Sequence, residues 1–145
     1  MAAATSIKLE IASEIGLVDL VHEVSEKMAQ FAGFPPDESL NVGLAVREAV
    51  INAIVHGNGQ DSSRKVEVLI ETRQGEGIRA QVRDQGNGFD PESAPDPTEV
   101  ENILNASGRG LLLIRAFVDD VDFKFKKGRG MEVTLVKKLP ESQVG

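Results

Sequence analysis

The sequence predicts an α/β (α+β) chain folded as a two-layer sandwich, a mixed, mostly antiparallel sheet covered on one face by helices. Three observations carry this. Every strand-like stretch alternates apolar and polar residues, so one sheet face is buried and the other wet. Two long helical patterns stand between the first of these strands and the rest. The chain has 145 residues, which gives one domain (1–145) with one core.

Ser6 to Ile11 alternates, with Ile7, Leu9 and Ile11 on one side, and is expected to be a strand. Leu17, Val21, Val24, Met28 and Phe31 then recur at helical spacing, with Asp19, His22, Glu23, Glu26, Lys27 and Gln30 opposite. This amphipathic helix stops near Gly33, and Pro35-Pro36 makes the turn. A second helix starts near Asp37 and runs to about His56; it is nearly all apolar from Val42 to Val55 and so is expected to be buried. Gly57-Asn58-Gly59 ends it. Three alternating sets follow: Val66, Val68, Ile70; Ile78, Ala80, Val82; and Val121, Phe123, Phe125. Met131, Val133 and Leu135 close the pattern after a turn at Lys127–Gly130.

Between these strands, Pro91 to Ala106 holds Pro91, Pro95 and Pro97 with acids between them. It reads as a long mobile loop with one short helix near Glu99–Asn105, and loops of this length are functional or disordered. Gly108-Arg109-Gly110 then opens a short apolar helix through Val118, and Glu141–Gly145 reads as a frayed tail.

Composition narrows the chemistry. With 41% hydrophobic and 27% charged residues the chain is globular. It has no cysteine, which excludes disulfides, thiolate nucleophiles and iron–sulfur clusters, and its two histidines make no His-rich metal site. The balance of 16 Lys+Arg against 23 Asp+Glu gives a net charge of −7, which argues against a broad nucleic-acid surface. It does not argue against a nucleotide held through Mg²⁺. No apolar run approaches a membrane span and no secretory pattern opens the chain, so a cytoplasmic protein is expected.

Three polar islands interrupt the apolar pattern. In the second helix, Glu48, Asn52 and His56 are spaced i, i+4, i+8 and share a helix face. An ionisable Glu one turn from an Asn is costly in an apolar helix unless both have partners. The pair is either a local hydrogen bond at an exposed stripe or a site for a hard divalent cation, with Asn52 as oxygen ligand and Glu48 as general base. The second island, Asp84-Gln85-Gly86-Asn87-Gly88-Phe89, follows a strand. It is either a glycine-rich turn or a place where backbone approaches a flat ligand while Asp84 accepts from an exocyclic amine such as that of adenine. The third, Ser107-Gly108-Arg109-Gly110-Leu111, feeds a helix start, where free N–H groups suit phosphate. It lacks the lysine and spacing of a P-loop.

Their order is more informative than any one of them. The chain resembles the GHKL ATPase superfamily, the family of the GHKL/Bergerat ATP-binding fold: Glu48…Asn52 matches its N box, Asp84-x-Gly86-x-Gly88 its G1 box, and Gly108-x-Gly110-Leu111 its G2 box. The loop between the last two matches its lid. Within the superfamily the chain is most similar to the bacterial anti-sigma factor serine kinases of partner-switching systems. The stretch from Arg47 to Gly57, Ser107 to Leu111, and the ending Glu132-Val133-Thr134-Leu135-Val136-Lys137 carry that likeness. The sequence departs from that family where Met131 follows Gly130, a position at which the family commonly has Thr or Ser beside the base.

The resemblance implies ATP and Mg²⁺ as ligands, with Asn52 coordinating the metal and Asp84 reading the adenine amine. Gly86 and Gly88 let the backbone approach the base. Ser107, Gly108, Arg109, Gly110 and Leu111 form the phosphate-side loop. Glu48 is the base for a serine hydroxyl on an anti-anti-sigma (STAS-type) antagonist, and a sigma factor is the second partner. The resemblance also implies a homodimer, with no membrane and no direct nucleic-acid contact. Arg47 either pairs with the acidic lid or helps hold a phosphate, and His56 reads as a helix-end residue before a ligand. His22-Glu23 resembles a phosphoacceptor pair, but it lies on the polar face of a single helix. Two other functions stay open: an ATP-binding regulatory module without phosphotransfer, and a detached histidine-kinase catalytic domain. A topoisomerase-like ATPase is disfavoured because the sequence shows no transducer segment.

Overall fold

In the computed structural model, residues 4–85, 110–126 and 130–140 are described. The elements in chain order are β1 (Ala4–Ala12), α1 (Val18–Ala32), α2 (Pro36–Asn52), β2 (Lys65–Arg73), β3 (Gly77–Arg83), α3 (Gly110–Phe117), β4 (Asp120–Lys126) and β5 (Gly130–Lys138). A short 3₁₀ turn, Ile15–Leu17, leads into α1.

One five-stranded sheet runs in the order β1-β2-β3-β5-β4, and all four pairings are antiparallel. The expected two-layer sandwich is therefore present, and the sheet is antiparallel throughout. The inner face is a set of cross-strand rows. Leu9, Val68, Val82, Val133 and Phe123 form one, and Ile7, Ile70, Ala80, Leu135 and Val121 form the next. Such apolar neighbours are the unit of sheet stabilisation. On the outer face the row Glu10, Glu67, Arg83, Glu132, Lys124 is fully charged.

The helices lie on the inner face, α1 and α2 against each other and α3 against α2. Helix α1 buries Val18, Val21, Ser25, Met28, Ala29 and Ala32. Its end is capped at Gly33, whose N–H reaches the carbonyls of Ala29 and Gln30. Phe31, expected on the buried face, is 50% exposed; Phe34, past the turn, fills the core instead at 4%. The chain reverses at Gly33, so the residue after the helix, not the last aromatic within it, points back under α1.

Helix α2 begins with Pro36 at its first turn and Asp37 and Glu38 beside it, as the helix dipole favours. Gly43, Ala45, Ala49 and Ala53 keep its buried side narrow. At Gly43 the ring of His22 from α1 lies so close that an added Cβ would meet it at 2.8 Å. Hence His22 is committed to the α1–α2 contact, where it also bonds Glu26 at 3.1 Å.

The second helix does not run on as an α-helix to His56. From Ala53 to Gly57 it widens into a π-helical turn, in which the N–H of Asn58 reaches the carbonyl of Ala53 at 2.8 Å. Five-residue rings of this kind are rare and recur at functional sites. The stretch expected as a loop, 91–106, the turn residues 127–129 and the tail 141–145 lie outside the described residues. No helix among the described residues is long and apolar enough to cross a membrane.

Candidate functional site

The end of the second helical stretch and the segment after β3 meet at one end of the sheet, through Gly57 and Asn58. Asn52 is the last α-helical residue of α2 and is buried, 6% exposed. Glu48, one turn earlier, is half-buried. Because the helix widens after Asn52, His56 does not continue the face that a regular i, i+4, i+8 spacing describes. Its Nε2 is buried, with no hydrogen-bond partner among the described residues.

The widened turn delivers Gly57 against Asp84. A Cβ on Gly57 would overlap the Asp84 carboxylate, so only glycine allows this approach. Asp84 sits immediately beyond β3 and is 4% exposed. Its backbone N–H donates to the Met131 carbonyl at 3.0 Å, and the Met131 N–H donates to its Oδ1 at 3.0 Å. Gly130 closes the other flank: it has φ +88°, and a Cβ there would overlap Asp84 as well. A buried carboxylate is thus wedged between two glycines and anchored to β5, and its acceptor character suits a ligand N–H donor.

Met131 stands where the resemblance called for a hydroxyl residue. What it supplies is its backbone N–H, which holds Asp84 in place.

Behind Asp84 the chain is tied down again. Asn58 is 1% exposed. Its Oδ1 accepts from the Gln85 N–H at 2.8 Å, and its Nδ2 donates to Ser13 Oγ at 2.8 Å and to the Lys65 carbonyl at 3.1 Å. Gln85 Oε1 accepts from the Lys65 N–H at 2.6 Å. On the outer face Arg83 donates through Nε to Glu132 Oε2 at 3.2 Å and through a terminal nitrogen to the same oxygen at 2.5 Å. Hydrogen bonding to Glu132 raises the Arg83 guanidinium above its ordinary pKa, so the guanidinium stays charged.

Arg47 pairs with Asp19 of α1 at 2.9 Å; the acidic loop expected as one partner for it lies outside the described residues. Gly110 and Leu111 begin α3, which packs on α2. Gly86, Gly88, Ser107, Gly108 and Arg109 lie outside the described residues. The structure thus sets Gly57, at the end of the turn that follows α2, against Asp84; Glu48 and Asn52 lie earlier on that helix. It adds Gly57 and Asn58, which read from the sequence as a helix stop, and Gly130, which reads as the end of a turn; at Met131, which stands out in the sequence as a departure beside the base, the backbone is what contributes.

The carboxamide oxygen of Asn52, with the Glu48 carboxylate one turn earlier on the same helix, is donor chemistry that fits a hard cation shared with phosphates.

Comparison with known proteins gives three concordant results. The family model described as a histidine kinase-like ATPase domain matches residues 11–137. The anti-sigma F factor of Anoxybacillus flavithermus is 36% identical over 113 residues, covering 74% of this chain and 74% of that protein. The anti-sigma F factor of Bacillus subtilis is 33% identical over 111 residues, again covering 74% of each. Among solved structures, the RsbU and RsbW domains of Rv1364c from Mycobacterium tuberculosis superpose with a TM-score of 0.66 at 19% identity. That match covers 97% of this chain and 35% of that one. The histidine kinase domain of the blue-light activated kinase EL346 from Erythrobacter litoralis gives 0.55 at 18% identity, over 85% of this chain and 61% of that one. At these identities the two structures speak for the fold alone.

Proposed function

The chain belongs to the histidine kinase-like ATPase domain family, with anti-sigma F factors among its relatives, and from that premise we propose that it is an ATP-binding anti-sigma factor that phosphorylates a serine of its antagonist. In this reading it sequesters a sigma factor in a partner-switching system in the cytoplasm, and the antagonist is an anti-anti-sigma protein of STAS type. The observation that carries the site is the approach of Gly57 to Asp84, because it joins the helix bearing Glu48 and Asn52 to the carboxylate after β3.

In this reading the Asp84 carboxylate, held by the Met131 N–H, accepts from the exocyclic amine of adenine. The glycines Gly86, Gly88, Gly108 and Gly110, with Ser107, Arg109 and Leu111, are assigned to the base and phosphate sides by family likeness. Asn52 would hold Mg²⁺, whose charge would offset that of the phosphates. Glu48 takes the proton from the attacking serine hydroxyl. The serine oxygen bonds to the γ-phosphorus, the bond to the β–γ bridging oxygen breaks, and ADP leaves. A positioned base of this kind contributes typically about 10²–10⁴-fold.

Incubation with labelled ATP, Mg²⁺ and candidate antagonists tests the reading. Acid-stable label on an antagonist serine is expected, lost in Glu48→Ala with much of the ATP affinity kept. Asn52→Ala and Asp84→Ala are expected to weaken Mg²⁺-dependent ATP binding; wild-type binding in both would refute the site. Binding without transfer would make the chain a nucleotide-gated module, and acid-labile label on histidine would make it a histidine kinase.

A further inference from the structure

The β2–β3 ladder stops one step short of the site. Its last pair is Glu67↔Arg83, and the same register would set Val66 opposite Asp84 and then Lys65 opposite Gln85. That pair does not form a ladder rung. The side-chain amide of Asn58 stands between the two backbones instead, donating to the Lys65 carbonyl at 3.1 Å and accepting from the Gln85 N–H at 2.8 Å. A carboxamide carries the same donor and acceptor as a peptide group, so Asn58 substitutes for the missing strand neighbour. Gln85 completes the exchange by accepting the Lys65 N–H on its own side chain. The second Nδ2 hydrogen goes to Ser13 Oγ, whose own proton goes to the Arg64 carbonyl at 2.7 Å.

Every group of the inserted amide is used, and its orientation is fixed. Reversing it would set an NH₂ against the Gln85 N–H and an oxygen against the Lys65 carbonyl. The insertion also explains the neighbouring contact. With Asn58 wedged between β2 and the end of β3, the preceding residue, Gly57, is pressed onto the Asp84 carboxylate. Asp84 is thereby set by β5 on one side and by the Gly57–Asn58 wedge on the other.

We propose that Asn58 is a positioning residue of the nucleotide site: its amide replaces a ladder rung between Lys65 and Gln85 and so holds Asp84 where a ligand amine meets it. This rests on the nucleotide reading above. Of its bonds, only the one from Oδ1 to Gln85 touches the segment that bears Asp84; the others anchor the amide to β2 and to the end of β1. Those two sets of bonds separate a positioning role from a structural one.

The test compares Asn58→Ala with Ser13→Ala. Both remove a bond of the same buried amide, and both are expected to lower the unfolding temperature. Only Asn58→Ala frees Gln85. It is expected to speed amide hydrogen exchange at Gln85 and Met131 in the nucleotide-free protein, and to weaken ATP·Mg²⁺ binding by about tenfold, the scale of one buried hydrogen bond. Ser13→Ala is expected to stay within about twofold of wild type in both readouts. Equal losses in the two variants, or unchanged affinity and exchange in Asn58→Ala, would overturn the proposal. If Asn58→Ala does not fold, wild type decides: the Gln85 N–H, held by the Asn58 side chain, must be protected from exchange, and exchange at the rate of a free amide refutes the idea. Should wild type not bind ATP, the function proposed above fails, while the exchange contrast at Gln85 and Met131 still decides the role of Asn58.

Discussion

The β3–β5 ladder ends in two unlike ways. At one end, around Gly77↔Lys138, an open groove of about 580 Å³ is lined by residues including Arg73, Glu76, Arg79 and Lys138. Its charges are solvated; the Arg79–Glu71 pair, at 3.6 Å, has side chains 50% and 38% exposed. At the other end, past Arg83↔Glu132, the polar groups are enclosed. Asp84, Asn58, Asn52 and Glu132 are all under a tenth exposed. The two ends carry similar residue types, so composition does not tell them apart. Burial does: an enclosed polar group persists only with its partners in place, and those partners fix its direction.

The sharpest way to break this contrast is Gly57→Ala at the enclosed end. The added methyl overlaps the Asp84 carboxylate, and overpacking of this kind costs about 1–3 kcal/mol. Both the unfolding temperature and the ATP affinity should fall; a variant as stable and as tight-binding as wild type would mean that the close approach is dispensable. Next comes Arg83→Ala, which leaves Glu132 enclosed without its guanidinium. A fully buried broken pair costs about 3–5 kcal/mol. Arg83 is 41% exposed, so water screens part of the loss and about 1–2 kcal/mol is expected in chemical denaturation.

At the open end Arg79→Ala supplies the control, with a change below about 0.5 kcal/mol and unaltered nucleotide affinity. A larger effect there would erase the distinction between the two ends. The smallest effect is at Asp61, an exposed residue whose carboxyl is held below its ordinary pKa first by the Ser63 hydroxyl and then by the Ser63 N–H. A depressed carboxyl stabilises the fold above its unfolded pKa, and that contribution disappears as the pH falls through the lowered value. Ser63→Ala should move the Asp61 titration, followed by carboxyl-carbon NMR, back upward.

The sequence made the open part of this architecture easy to read and the enclosed part hard. Alternation at Val66, Val68 and Ile70, or at Val133 and Leu135, follows from the two-residue period of a strand with one wet face, so faces and strands were legible. Glu48, Asn52 and Asp84 stood out because polar residues are out of place in or beside apolar patterns. Asn58 did not. Between two glycines after a helix it reads as a stop signal, and nothing local distinguishes an exposed Asn there from one that is 1% exposed. The same holds for Phe31 and Phe34, one turn apart, of which only the second is enclosed.

By itself the chain determined where its strands and helices lie, the buried face of each strand and the residue types available for nucleotide chemistry, since all three depend on spacings within one segment. The tertiary structure alone decided the strand order, the π-turn after Asn52 and the use of a side-chain amide in place of a ladder rung. These depend on which groups distant segments leave unpaired when they meet, and in a low-dielectric interior every such group must find a partner.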